Sequence, residues 1–407
     1  MVFPTAGVGK GKAATKFWRF EMIHVCKVNG VGTPSASRPI GRAGWSRQGL
    51  KWTAFWACAL LLCGGLGHAQ EIPWHLGRVD GAQAAPSAIN TAGNPPGPHS
   101  MVVAVIDSGV IANHPSLKGQ LLPGYDMVSA RNNLRHSRSS NASPDERDAR
   151  CGDRLLSNSF RAHGTEVASL IAGNGAEGVW GVNPAAKIVP VRLFGACATS
   201  RQDLLDAIAW AAGFAVKDVP DNPHPARIIN LSLSGGFATC GDDLQRLLQR
   251  VVDKNIFVVA AAGNSFQKAL QEPANCKGVI SVGALDAQNR IAAYSALDPR
   301  TVLYAPGGGP PLSGSAEWSV NKLKVASYES NVVGQDRPSS AYRGVGTSYA
   351  APIVAGFISL WLSHHPEKNT LDFLREIEHF SRRVDPIAAC TACVPRGLAG
   401  APANKGS

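Results

Sequence analysis

The sequence predicts an α/β fold in which a doubly wound, mostly parallel β-sheet carries helices on both faces. Three observations lead there. Five nearly continuous apolar runs are spaced along the chain, helix-periodic segments alternate with them, and reactive polar residues stand at their ends. Runs that are apolar throughout, rather than at every second residue, read as strands buried on both faces. Strand and helix in alternation then give a parallel sheet wrapped by its own connections.

The first run, "MVVAVID" (101–107), ends on Asp107, and Ser108-Gly109 supplies the turn. A polar, Arg- and Ser-rich segment over 129–160 reads as a long surface loop. From Arg161 to Gly178 the chain reads "RAHGTEVASLIAGNGAEG", which makes two offers. Its end spells G-x-G-x-x-G, the loop that lets backbone approach a dinucleotide pyrophosphate, while its beginning sets His163 ahead of an apolar helix. A dinucleotide loop follows a strand, opens a helix and has an acid about 20 residues later. Here the glycines close a helix, and no Asp or Glu occurs between Gly178 and Asp203. The dinucleotide reading is set aside.

"KIVPVRLF" (187–194) is the next strand. "SRQDLLDAIAWAAGFAV" (200–216) is helix-periodic, with Ser200 and Asp203 spaced as a capping box. "RIINLSLS" (227–234) is a strand. "GDDLQRLLQRVVDKN" (241–255) is an amphipathic helix with acids in its first turn and Lys254 at its end, as the macrodipole favours. "IFVVAAAG" (256–263) leads to Asn264, and "VISVGAL" (279–285) is the fifth strand. A glycine- and proline-rich loop over 306–315 precedes "YRGVGTSYAAPIVAGFISLWL" (342–362), an apolar helix entered at Ser348. Pro352 is expected in its first turn, where a missing N–H is tolerated.

Composition bounds the function. Hydrophobic residues at 44% and charged ones at 17% describe a chain able to bury a sizeable core. The net charge of +11 invites a nucleic-acid partner, but its distribution argues against one. Residues 1–69 hold nine of the basic residues and one acid, leaving 31 basic and 28 acidic residues downstream, a net of +3. In the leader, Arg42, Arg47 and Lys51 precede the apolar stretch from Trp52 to Leu62, and Gly67 and Ala69 follow as small residues. That order reads as a secretory signal over 51–69, cut after Ala69 and too short to span a bilayer. Residues 1–50 form an N-terminal extension longer than such a signal needs, so the start codon is expected downstream of Met1. The functional domain is placed at 71–400. Six cysteines remain after the leader, namely Cys151, Cys197, Cys240, Cys276, Cys390 and Cys393. An even number in an exported chain points to disulfides. Only Cys390 and Cys393 have zinc-like spacing, and no second pair matches them.

Asp107, His163, Ser348 and Asn264 each have an ordinary reading when taken alone, such as a turn residue or a helix N-cap. Together they supply an acid, an imidazole, a hydroxyl and an amide donor at element ends of one parallel sheet. Acyl transfer uses these four groups as orienting carboxylate, base, nucleophile and oxyanion donor.

The segments "VVAVIDSGV", "HGTEVASLIAG" and "GTSYAAPIVAG" resemble the Asp, His and Ser motifs of the subtilisin-like serine peptidases, in the order that family uses. "IINLSLSGG" resembles its substrate-binding strand and "AAAGNS" its oxyanion segment. The long loop, the cysteines and "PANCKGVISVGA" look most like the secreted proteobacterial branch. The resemblance covers roughly 71–400. It implies Ser348 as nucleophile, His163 as general base and then acid, Asp107 as the orienting carboxylate, and Asn264 with the Ser348 N–H as oxyanion donors. It also implies Ser232, Leu233, Ser234 and Gly235 on one side of the S1 pocket and Ala261, Ala262 and Gly263 on the other. Protein or peptide substrates would add as a strand.

There are departures from the family. Glu166 stands where many members have a second histidine, Ser234 replaces a glycine of the S1 wall, and Ser116 stands at a usual calcium-ligand aspartate. No metal and no cofactor is expected, with a structural calcium as the alternative, and no folding pro-domain is evident. The expected disulfides are Cys151–Cys197, Cys240–Cys276 and Cys390–Cys393, among 15 possible pairings. The expected protein is a secreted monomer, extracellular or periplasmic, with no nucleic-acid partner and no membrane contact once its signal is removed. A catalytically inactive binding protein of the same shape, or an esterase using the same triad, are the alternatives.

Overall fold

The computed structural model describes residues 74, 76, 99–129, 138–144, 150–151, 154–155, 158–195, 199–235, 237–265, 269–309, 321–329, 337–343 and 345–383. The expected leader lies outside them, as do Cys197, Cys390, Cys393 and the acids Asp145, Glu146, Asp148 and Asp153 of the long loop.

Seven strands form the main sheet: β1 Val102–Asp107, β2 Tyr125–Asp126, β5 Lys187–Arg192, β6 Ile228–Leu231, β7 Phe257–Ala261, β8 Val279–Leu285 and β9 Leu303–Pro306. Two short strands, β3 Arg150–Cys151 and β4 Arg154–Leu155, pair with each other, as do β10 Leu323–Glu329 and β11 Arg337–Arg343. The sheet order is β2-β5-β1-β6-β7-β8-β9, and every pairing in it is parallel. Among the described residues five α-helices accompany it: α1 Asn158–Ala172, α2 Arg201–Ala211, α3 Asp242–Asp253, α4 Thr347–His364 and α5 Thr370–Arg383.

The strands are apolar throughout because the sheet is covered twice. Val103 and Val105 of β1 face a core shared with α1, α4 and Phe373 of α5. Ala104 and Ile106, one residue out of step, face a second core with Ala207 and Ile208 of α2 and Leu244 and Leu248 of α3. A period of two is thus present but hidden, since both faces are buried. From β1 the chain passes to β2 at the sheet edge, returns through β5 beside β1, and then crosses to β6 on β1's other side. That reversal puts the topological switch point between β1 and β6, and in open α/β sheets the crevice at the strands' carboxyl ends there is the usual ligand site.

Three sequence expectations are corrected. The helix expected over 200–216 stops at Ala211, because Gly213 takes a left-handed backbone (φ 74°) that ends it. Its capping box is present, with Asp203 N–H donating to Ser200 Oγ at 3.0 Å. His163 does not open its helix but lies in the second turn of α1, which starts at Asn158. Pro352 is likewise not in the first turn but at the sixth position of α4. Cys240 and Cys276 are joined by a disulfide that fixes the start of α3 to the segment before β8. The other two expected pairs fall outside the described side chains.

Candidate active site

The residues that matter come from three adjacent strand ends and two helices. β1 delivers Asp107, which is fully buried. Its Oδ1 accepts from Ser108 N–H at 2.7 Å and faces His163 Nδ1 at 2.8 Å; Oδ2 lies 3.0 Å from the same nitrogen. A carboxylate only accepts, so Nδ1 carries the hydrogen and Nε2 is left with its lone pair. His163 can lie this close because Gly164 follows it. A Cβ on Gly164 would stand 2.2 Å from the Gly109 carbonyl oxygen, so α1 meets the β1 turn only without a side chain there. Gly164 N–H donates to Ser108 Oγ at 3.0 Å, tying the helix to that turn. Burial opposes the imidazolium, but the charge and hydrogen bond of Asp107 outweigh it and raise the His163 pKa above its ordinary 6.5.

Ser348 sits in the first turn of α4 and is 6% exposed. It is not the N-cap. Gly346 is, and it offers no side chain to do the capping. Capping comes from outside, because Asn264 Oδ1 accepts from Thr347 N–H at 2.7 Å and Thr347 Oγ1 at 2.9 Å. With its carbonyl so engaged, the Asn264 amide presents Nδ2 beside Gly346. Thr347 Oγ1 in turn accepts from Gly263 N–H at 3.1 Å, and Gly263 holds a left-handed backbone (φ 110°) that only glycine takes easily. The Ser348 N–H belongs to a first helical turn, where N–H groups lack intrahelical acceptors.

Pro352 has a specific effect here. A residue with an N–H at that position would donate to the Ser348 carbonyl, four residues earlier. Proline cannot, and Ser232 Oγ donates to that carbonyl instead, at 2.7 Å. Ser232 Oγ accepts in turn from Asn230 Nδ2 at 2.9 Å, so β6 and its end brace the turn that carries Ser348. Ser232, expected to flank the pocket, is thus buried with its hydroxyl engaged in this brace. Leu233, Ser234 and Gly235 are half-buried beyond it. Ala261 and Ala262 turn their methyl groups into the two cores, so the wall they offer is backbone. Ser234 Oγ reaches to 3.0 Å of where a Gly263 Cβ would be, bringing the two walls together.

Among the described residues Ser348 Oγ makes no hydrogen bond to His163 Nε2, a contact that often tightens only with substrate bound. Sequence reasoning missed Thr347 and Tyr349. Tyr349 packs its ring 5.8 Å from that of His163 and donates its O–H to Glu166 Oε2 at 2.7 Å.

Around Ser116 and the loop after α1, several polar groups are engaged within the protein. Ser116 is fully buried and turned inward, its N–H and hydroxyl both on His114 Nδ1. Asn174 Oδ1 accepts from Ala176 N–H at 3.0 Å, and the Lys324 ammonium lies against Gly178. An ammonium beside Gly178 would oppose a second cation there, which needs several oxygen ligands.

Comparison with known proteins bears on the family and the fold. A sequence profile described as the Subtilase family matches residues 99–380. An extracellular basic protease of Dichelobacter nodosus is 36% identical over 65% of this chain and 43% of its own length. An extracellular protease of Xanthomonas campestris pv. campestris is 35% identical over 72% of this chain and 49% of its own. The chain therefore spans about half the length of these curated relatives. Among solved structures, a protease from Pseudoalteromonas arctica superposes with a TM-score of 0.61 at 31% identity, over 76% of this chain and 93% of that one. With its profile match, parallel sheet and Asp, His, Asn and Ser on neighbouring strand and helix ends, this chain belongs to the subtilase family of serine peptidases.

Proposed function

We propose that this protein is a secreted serine endopeptidase that cleaves peptide bonds through an Asp107-His163-Ser348 triad and an acyl-enzyme. The observation that carries the reading is the His163–Asp107 pair. It directs the free imidazole nitrogen away from β1 and assigns it an acceptor's role.

In this reading Ser348 Oγ attacks the scissile carbonyl as His163 Nε2 takes its proton. Asp107 keeps the ring in the required tautomer and stabilises the imidazolium. Asn264 Nδ2 and the Ser348 N–H receive the oxyanion, aided by the positive end of α4. His163 then returns the proton to the leaving amine, and water repeats the sequence on the acyl-enzyme. Secretion is supported by the 51–69 pattern and by relatives named as extracellular proteases. A protein or peptide substrate is supported by the same names and by the absence of a G-x-S-x-G elbow, the chain reading G-T-S-Y-A at the serine.

Digestion of casein and of a blocked-peptide library by the purified protein tests the assignment. Internal cleavage that Ser348→Ala abolishes is expected. Hydrolysis only of simple esters, or none at all, would favour the esterase or the inactive binding protein.

A further inference from the structure

We propose that Glu166 and Tyr349 form a buried clamp that sets the separation between the Ser348 hydroxyl and the His163 imidazole. Both would be positioning residues for the reaction proposed above, and the inference rests on that reading. Tyr349 directly follows Ser348, and Glu166 lies one helical turn beyond His163. The Tyr349 O–H donates to Glu166 Oε2 at 2.7 Å, so the two helices are linked within a turn of each reacting group. Glu166 is fully buried, and its Oε1 accepts from Ser327 Oγ of β10 at 3.3 Å, which keeps the carboxyl from rotating away. The Tyr349 ring, 7% exposed, also lies 5.8 Å from the His163 ring at 52°.

The chemistry of the pair is what needs explaining. A site with no exposure ordinarily takes an apolar side chain, and burying a carboxyl is unfavourable unless its oxygens find donors. Leucine at 166 and phenylalanine at 349 would fill similar space by contact alone. Contact resists separation, but it resists sliding and rotation weakly, whereas a hydrogen bond is directional. The pair therefore fixes the rotation of α4 and its advance along α1. Those two variables decide whether Ser348 Oγ can reach His163 Nε2, and the two are not yet hydrogen-bonded in this structure. The sequence alone places Glu166 outside the triad. Its link is to the residue after the nucleophile.

Steady-state kinetics on a peptide substrate and the rate of inactivation by a fluorophosphonate, measured well below each melting temperature, test the clamp. Tyr349→Phe and Glu166→Leu should each lower kcat and the inactivation rate by roughly 5- to 30-fold, with KM within about twofold, as misplacement of a reacting group predicts. The double variant should be little worse than Glu166→Leu alone, because that change already removes the bond that Tyr349→Phe loses. Glu166→Gln, whose amide oxygen still accepts from the phenol, should restore most of the loss. Should Glu166→Leu not fold, Tyr349→Phe and Glu166→Gln carry the test. Parental rates in Tyr349→Phe, a loss confined to KM, or Glu166→Gln no better than Glu166→Leu would overturn the clamp. A parent protein that does not react with the fluorophosphonate would overturn the hydrolase reading instead.

Discussion

At the scale of single residues, the site was legible wherever a polar group lacked a reason to be where it is. Asp107 closes a run of apolar residues and Asn264 closes another, and neither is expected there for burial alone. Thr347, Tyr349 and the brace from Ser232 were not legible. Their roles depend on which element packs opposite, and local sequence does not say. If the triad acts as a unit, Ser348→Ala and His163→Ala should each lower kcat by roughly 10⁵ to 10⁶, with the double variant little worse. Asn264→Ala should lower it by roughly 10² to 10³, as measured kcat on one peptide will show. Ser232→Ala leaves the Ser348 carbonyl buried without its donor, which should lower stability by about 1–3 kcal/mol in denaturant titration. The pH dependence has a definite sign. The base must be neutral, and Asp107 raises the His163 pKa, so protonation begins above pH 6.5 as acid is added. The acid limb of kcat/KM for the free enzyme should therefore lie above 6.5, and a limb below that value would show that Asp107 does not govern the imidazole.

At the scale of elements, apolar runs located five strands of the main sheet to within a few residues, since sustained burial on both faces leaves a plain mark. The short strands β2 and β9 and the β10–β11 hairpin left none, because two to seven residues without unbroken apolarity look like loop. Helix starts were the weaker part. α1 begins five residues before His163, in a polar stretch that reads as surface loop, and α4 keeps running past Pro352 because Ser232 replaces the missing donor. The disulfide Cys240–Cys276 closes a separation of 36 residues. Beside it Glu272 accepts from Arg201 and from Gly241 N–H, so charge and covalent bond hold the same corner. Replacing both cysteines by serine should lower stability by about 2–4 kcal/mol in chemical denaturation, the usual range for a native cross-link. Gly235 N–H donates to the Glu272 carbonyl at 3.2 Å, so the loosened corner should also raise KM more than it lowers kcat.

For the whole molecule, the doubly wound sheet explains why residues 107, 163, 264 and 348, distant in sequence, lie on neighbouring strand ends and helices. The carboxyl ends of β1, β6 and β7 are neighbours, and α1 and α4 lie on the same face of the sheet. The fold class was readable from strand and helix alternation. The strand order was not, because nothing local records where the chain reverses. We propose that no tight calcium site stabilises this protein, given the inward Ser116 and the Lys324 ammonium beside Gly178. Melting curves in excess EGTA and in millimolar calcium should then nearly coincide, since a saturated tight site would add a shift of several degrees. The central claim, that Ser348 is a nucleophile activated by His163 and Asp107, is tested most directly by mapping the fluorophosphonate adduct on the intact protein. The account predicts a single adduct on Ser348, formed in the parent and lost in both Ser348→Ala and His163→Ala. An adduct on another residue, or casein hydrolysis persisting in Ser348→Ala, would contradict it.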